Sequence, residues 1–344
     1  MTRVALVVNP AKLEVGPLAE LVGRHCHKRG LLEPVVLETT EQDPGTGMAL
    51  QALQQGCDLV LAAGGDGTVR AVAQGLAGTD AALAVLPSGT GNLLARNLDL
   101  PDDVDEALAR AFDGPRRRLD VGILRPLDGG QSDERRPSGG PDRTGPEPTT
   151  FAVMAGIGLD AAMLDFTPER LKSAVGWPAY LVGAVRALRH SVMTVELSLD
   201  GGPPRRQRAR MVLVGNVGRL QGGVDLLPDA RPDDGRLDLC VLAPKGISGW
   251  VGAAVSTATG KPSRRAGEPI QVRPVSRVTV RTRRPYPRQL DGDPIDRSTG
   301  FSIEVLPGAL LLCGAPPGPD DPDTAVHEAD RPLDRQPDPR KELR

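Results

Sequence analysis

Aromatic side chains are nearly absent from this chain of 344 residues: two Trp, two Tyr and four Phe make up 2%. Stacking platforms for single-stranded nucleic acid are therefore excluded. Charge of one sign is lacking too, since 42 Lys and Arg stand against 44 Asp and Glu, a formal net charge of −2. Nucleic-acid binding asks for a strongly basic domain, so no nucleic-acid partner is expected. The four cysteines, Cys26, Cys57, Cys240 and Cys313, lie far apart, with no knuckle or CxxC spacing. A zinc knuckle and a disulfide framework are excluded, and reduced thiols in a cytoplasmic protein are expected. No uninterrupted apolar run approaches the length that spans a bilayer. The first residues run straight into RVALVVNP, a strand pattern rather than a charged leader. A soluble protein is expected, one that can still touch a membrane surface.

What is present is alternation. Over residues 1–121 short apolar runs (VALVV, PVVLE, DLVLAA, ALAVLP) alternate with helical patterns (LAELVGRHCHKRG, GMALQALQQG, DVDEALARAF). In TVRAVAQGL, Val69, Val72, Ala73 and Leu76 fall on one helical face. Such alternation predicts an α/β domain with a parallel sheet covered on both faces. Residues 122–150 are dense in Pro, Gly and charge and are expected to form a disordered insert. Residues 151–313 read as a β-rich second domain, mostly antiparallel, a sandwich, interrupted by one helical pattern at 168–191. Residues 314–344 resemble the insert and are expected to be a loose tail.

The informative stretch is LVLAAGGDGTVRAVAQGL, residues 59–76, where a strand enters a helix through glycines that flank a carboxylate. Free N–H groups and the helix dipole make such a turn an anion site. A carboxylate there would repel phosphate unless a cation stands between them, so Asp66 is explained by Mg²⁺, which takes one or two carboxylates plus phosphate oxygens and water. For an isolated GGDG, capping of a helix explains the aspartate equally well. LPSGTGN, residues 86–92, breaks the tie, being a second strand-to-glycine turn one unit later. Two such turns on neighbouring parallel strands meet at the carboxyl edge of the sheet, where nucleotides bind. Neither GxxxxGK[ST] nor GxGxxG occurs, so this is a different cradle.

In order, NP, GGDGTV, LPSGTGNLLARNL, LDVG, GIGLDA, PDARPDDGRLDL and DGDP resemble the diacylglycerol kinase catalytic family, which includes soluble bacterial diacylglycerol kinases and sphingosine kinases. The resemblance covers about residues 3 to 313 without the insert. It implies an ATP- and Mg²⁺-dependent lipid kinase with its site in the cleft between two domains, phosphorylating diacylglycerol or a related lipid at a membrane surface. By motif, Asn9, Thr39, Gly64, Gly65, Asp66, Gly67, Thr68, Val69, Arg70, Ser88, Gly89 and Thr90 would line the nucleotide site, with Thr40 an alternative to Thr39. Asp66 and Asp120 would share the Mg²⁺ network. Asp234, with the carbonyls of Arg231 and Arg236, would match a structural Mg²⁺ site; an Asp-Gly hairpin turn would use the same residues. Asp291 would be the catalytic base. Residues 154–163 and the stretch around Trp177 and Tyr180 are candidates for an acyl groove. Oligomeric state is left open, a homodimer included.

Three departures stand out. Leu93 follows Asn92 where many bacterial members have Asp, Asp293 replaces the usual Glu of DGE, and the NPAK loop lacks a common Ser or Gly. Two rival readings follow: an NAD kinase, which shares GGDGT but typically carries an Asn-Glu pair absent here, and a lipid-binding protein that has lost catalysis. The basic runs 116–118, 205–210 and 273–288 are read first as solvated faces and second as docking sites for anionic lipid. His25 and His27 are two apart, so on a helix they point apart and do not pair as metal ligands.

Overall fold

The computed structural model describes residues 2–89, 91–127, 148–158, 192–220, 225–244 and 268–316. The first unit runs β1 (Val4–Val8), α1 (Val15–Lys28), β2 (Val35–Glu38), α2 (Thr46–Gln54), β3 (Leu59–Gly64), α3 (Asp66–Leu76), β4 (Ala82–Pro87), α4 (Leu93–Asn97) and α5 (Val104–Asp113). Its strands pair in parallel in the order β2-β1-β3-β4. Every residue of β1, β3 and β4 is buried, as continuous apolar runs require when both faces are covered. Alternation divides them. Val7, Val60 and Ala62 pack with Ala49 of α2 and Val72 of α3, while Leu6, Leu61 and Ala63 pack with Val22 of α1 and Leu108 of α5. Helix α5 starts on a side-chain N-cap, the Asp103 carboxylate accepting from Glu106 N–H at 2.9 Å.

The second unit is β5 (Arg116–Pro126), β6 (Thr149–Phe151), β7 (Met154–Ile157), β8 (Met193–Leu199), β9 (Arg205–Ala209), β10 (Met211–Gly215), β11 (Leu237–Leu242), β12 (Ile270–Val275), β13 (Arg277–Leu290) and β14 (Asp293–Cys313). Its pairings are antiparallel, in the order β12-β11-β10-β7-β13-β14, with β8 and β9 beside β13 and β5 and β6 beside β14. They enclose a second core that includes Phe151, Val195, Val278 and Phe301. The four cysteines are free and buried.

Strand β14 joins the two units. Residues 301–306 alternate buried and partly exposed as an antiparallel strand should, whereas Ala309, Leu310, Leu312 and Cys313 are buried. The switch follows Gly308, at φ 57°, and a register break between Leu306 and Leu310. Beyond it Leu311 and Leu312 pair in parallel with Ala82 and Leu83 of β4. One sheet thus runs through both units, and the strand's last residues serve the first.

Both edges of the expected insert are strand. Residues 122–126 continue β5 against β14, and Thr149 opens β6. The remainder of the expected insert, the helical pattern at 168–191 with Trp177 and Tyr180, most of residues 154–163, and nearly all of the expected tail lie outside the described residues. Among the described residues no helix is long and apolar enough to cross a membrane.

Candidate active site

Four parallel strands deliver the first half of the site. Asn9, Thr39, Gly65 and Ser88 follow the C-terminal ends of β1, β2, β3 and β4. Asn9 is held by its N–H to the Ala63 carbonyl at 2.9 Å, and its Oδ1 accepts from Ala11 N–H at 3.0 Å. Its amide lies 3.5 Å from Thr68 Oγ1. Thr39 is buried, with its N–H on the Val8 carbonyl at 2.9 Å, while Thr40 is exposed and accepts from Asp43 N–H. The inward position is therefore Thr39.

The two glycine turns touch. A Cβ on Gly89 would stand 2.9 Å from Gly65 Cα, and one on Gly65 would run into the Lys12 ammonium. A Cβ on Gly64 would collide with the Thr68 side chain. Asn92, at φ 46°, folds back so that its Oδ1 accepts from Gly89 N–H at 3.0 Å, closing the second turn. Ser88 Oγ is buried without a hydrogen-bond partner among the described residues. Thr90 lies outside the described residues.

Asp66 opens α3, and its Oδ1 accepts from Leu93 N–H at 2.5 Å, across the junction of the two turns. It caps a helix, though the neighbouring α4 rather than its own. Burial raises its pKa, the Leu93 N–H opposes the rise, Asp293 adds to it, and Lys12 opposes it. Asp66, Val69, Arg70, Leu94, Ala152, Val153 and Asp291 line one small cavity.

Asp291 reaches that cavity from the other unit. Leu290 and Asp293 pair directly, so Asp291 and Gly292 form a two-residue hairpin loop, both with positive φ (50° and 91°). That is the signature of a type I′ Asp-Gly turn. An ordinary turn aspartate faces water, whereas Asp291 is 4% exposed. Its Oδ1 accepts from Val153 N–H at 3.1 Å and Met154 N–H at 2.8 Å, and its own N–H bonds the Met154 carbonyl at 2.7 Å. Burial pushes its pKa up to about 6, against the pull of Arg70 and the two N–H groups and with a further push from Asp66. Arg70 points across to this hairpin: its Nη1 donates to the Leu290 carbonyl at 2.7 Å and to Asp293 Oδ2 at 3.1 Å.

Asp120 sits in different company. Its Oδ1 accepts from Gly308 N–H at 2.7 Å and its Oδ2 from Gly235 N–H at 2.6 Å. Its N–H bonds the Pro232 carbonyl at 2.6 Å, and Asn216 donates to its carbonyl at 2.7 Å. Burial raises its pKa; the like charges it feels are Asp234 and Asp233. Asp120 thus ties β14 to the turn at residues 231–236. In that turn the exposed Asp234 accepts from Arg236 N–H at 2.9 Å, Gly235 takes φ 74°, and Asp233 pairs with Arg117 at 2.6 Å. The Asp234 hydrogen bond closes the turn as an Asx turn. Asp66 and Asp120, both expected from the sequence to join a Mg²⁺-water network, are held by different N–H groups, Asp66 by Leu93 and Asp120 by Gly235 and Gly308.

Residues 3–124 match the diacylglycerol kinase catalytic domain, and residues 153–314 match the YegS C-terminal NAD kinase beta sandwich-like domain. A relative from Chromohalobacter salexigens, named "Probable lipid kinase YegS-like", is 30% identical over 318 residues, covering 91% of this chain and 93% of its own. The chain belongs to the diacylglycerol kinase catalytic-domain family. A relative of the same name from Cronobacter sakazakii is 29% identical, covering 81% of this chain and 85% of its own. The fold is shared with a diacylglycerol kinase structure from Bacillus anthracis, at TM-score 0.64 and 22% identity, covering 90% of this chain and 96% of that one.

The family's nucleotide fits these residues. A buried hydroxyl lacking a partner, two glycines in backbone contact and the Lys12 ammonium over Gly65 suit an anionic, oxygen-rich group. For Mg²⁺ the candidate donor is the hard carboxylate oxygen of Asp66, on the cavity it shares with Asp291. Among the described residues no three His, Cys, Asp or Glu gather to hold a metal. Lys12, Asn92 and Asp293 lie at these turns although sequence reasoning did not place them in the site. Their signal was adjacency: each lies within a quoted motif, NPAK, SGTGN or DGDP. At Leu93, where many members carry Asp, the backbone N–H holds Asp66, and the side chain would stand 3.4 Å from a Cβ on Gly292.

Proposed function

We propose that this chain is an ATP- and Mg²⁺-dependent lipid kinase that phosphorylates a hydroxyl of diacylglycerol or a related lipid, giving phosphatidic acid or an analogous lipid phosphate. The observation that carries the reading is Asp291: a buried carboxylate held by two N–H groups, with a pKa of about 6, on the same cavity as Asp66 of the nucleotide turn. A base of that pKa is well matched to neutral pH.

Phosphoryl transfer needs positioning and charge neutralisation more than covalent help from protein. The Gly65 and Gly89 turns, with Ser88 and Lys12, bind and orient the phosphates. Asp66 would hold Mg²⁺, which offsets charge on the β- and γ-phosphates. The lipid hydroxyl oxygen attacks the γ-phosphorus, the bond to the β–γ bridging oxygen breaks, and ADP leaves. Asp291 accepts the hydroxyl proton on Oδ2, the oxygen not engaged by Val153 and Met154.

The acceptor is reached at a membrane surface, on the cytoplasmic side where ATP is available. Strand β9 presents Arg205, Arg206 and Arg208, all exposed, and each basic residue near anionic lipid contributes roughly 1 kcal/mol. Phosphate transfer from γ-labelled ATP to a panel of diacylglycerol, monoacylglycerol, sphingoid base and phosphatidylglycerol, with NAD as a soluble control, tests the reading. Label appearing in NAD alone, or in no acceptor, refutes it.

A further inference from the structure

Arg70 follows the GGDGT element, and its motif position would have it face nucleotide. The side chain does otherwise. From the first turns of α3, in the nucleotide unit, one guanidinium nitrogen binds the carbonyl of Leu290 and the carboxylate of Asp293. Those two residues are the bases of the hairpin whose two-residue tip is Asp291 and Gly292. Arg70 therefore holds both sides of the tip that carries the base. The guanidinium is largely sheltered, its side chain 18% exposed. The cavity side of α3 also carries Asp66, one helical turn earlier, so nucleotide turn and base share one rigid element. Asp293 lies against the start of α3: its carboxylate is what a Cβ on Gly67 would meet, at 3.5 Å.

We propose that Arg70 is a positioning residue, a clamp from the nucleotide helix onto the Asp291 hairpin, with Asp293 as its counter-charge. The clamp sets the distance between the phosphate-binding turns and the base. It rests on the kinase reading for its catalytic consequence but not for its structural one. A displacement of about 1 Å can cost about 10²-fold in rate. Asp293 acts only through Arg70, so the two positions are coupled rather than additive.

The test uses the full chain with Arg70→Met, Asp293→Ala and the double variant. Amide exchange across residues 289–293 should rise about tenfold in Arg70→Met and less in Asp293→Ala, with β3 and β10 unchanged. Lipid phosphorylation should lose about 10- to 100-fold in kcat for Arg70→Met, with KM for ATP within about threefold. The double variant should match Arg70→Met alone. Unchanged exchange in the hairpin overturns the clamp, as do additive losses in the double variant. A raised KM for ATP in Arg70→Met beside a silent Asp293→Ala also overturns it, because Arg70 would then serve the nucleotide. Should the parent phosphorylate no lipid, the kinase reading fails while the exchange measurement still decides the clamp.

Discussion

Replacing Asp291 by Asn separates burial from chemistry in one preparation. Asn keeps the size and an oxygen for the Val153 and Met154 N–H groups but carries no charge and accepts no proton. The folded-state pKa of about 6 lies above the ordinary value of 3.8. Asp291 thus binds its proton more tightly in the folded state than in the unfolded one. Its stabilising contribution is fully present below about pH 4 and is lost as pH rises through about 6. A shift of about two units corresponds to roughly 3 kcal/mol at pH 8. Asp291→Asn should therefore melt several degrees above the parent at pH 8 and beside it at pH 4, measured without nucleotide in chelator. Lipid phosphorylation should fall by about 10² to 10⁴, with affinity for Mg²⁺-ATP retained. In the parent, kcat should decline below about pH 6. Identical pH–stability curves for the two proteins would refute the buried charge, and surviving turnover would refute the base.

Asp66→Ala should lower turnover by at least about 10²-fold, weaken the Mg²⁺ dependence of ATP binding and leave the folded circular dichroism unchanged; near-normal activity would sink the assignment. Gly89→Ala places a methyl 2.9 Å from Gly65 Cα, so the turns must part, and ATP affinity measured by titration calorimetry should drop about tenfold or more. Asp120→Ala leaves the N–H groups of Gly235 and Gly308 without their acceptor. It should cost about 2 to 3 kcal/mol in urea unfolding and keep the Mg²⁺ dependence of ATP binding, a result that the shared-metal expectation would not produce.

Much of the nucleotide unit was legible because its signals are local. Continuous apolar runs mark buried parallel strands, the 69-72-73-76 spacing marks the buried face of α3, and Gly64, Gly65 and Gly89 mark turns where a side chain would collide. The same locality made the hairpin readable in LDGDP, since Asp-Gly prefers positive φ at both positions. What local pattern could not contain was the partner of each charge. Asp66 and Asp120 looked alike on paper, yet one is held by Leu93 N–H on the cavity it shares with Asp291 and the other by Gly235 and Gly308. Arg70 and Asp293 are 223 positions apart, and only the packing of α3 against the β13–β14 hairpin joins them. Strand β14 makes the point at the scale of the fold: its change from alternating to continuous burial follows from leaving an antiparallel sheet for a parallel one. The sequence by itself determined which segments become strands, helices and tight turns, because those depend on neighbours along the chain. Tertiary structure decided which carboxylate is buried on two N–H groups, which caps a helix and which ties two strands to a turn, because burial and hydrogen-bond partners come from residues far away in sequence.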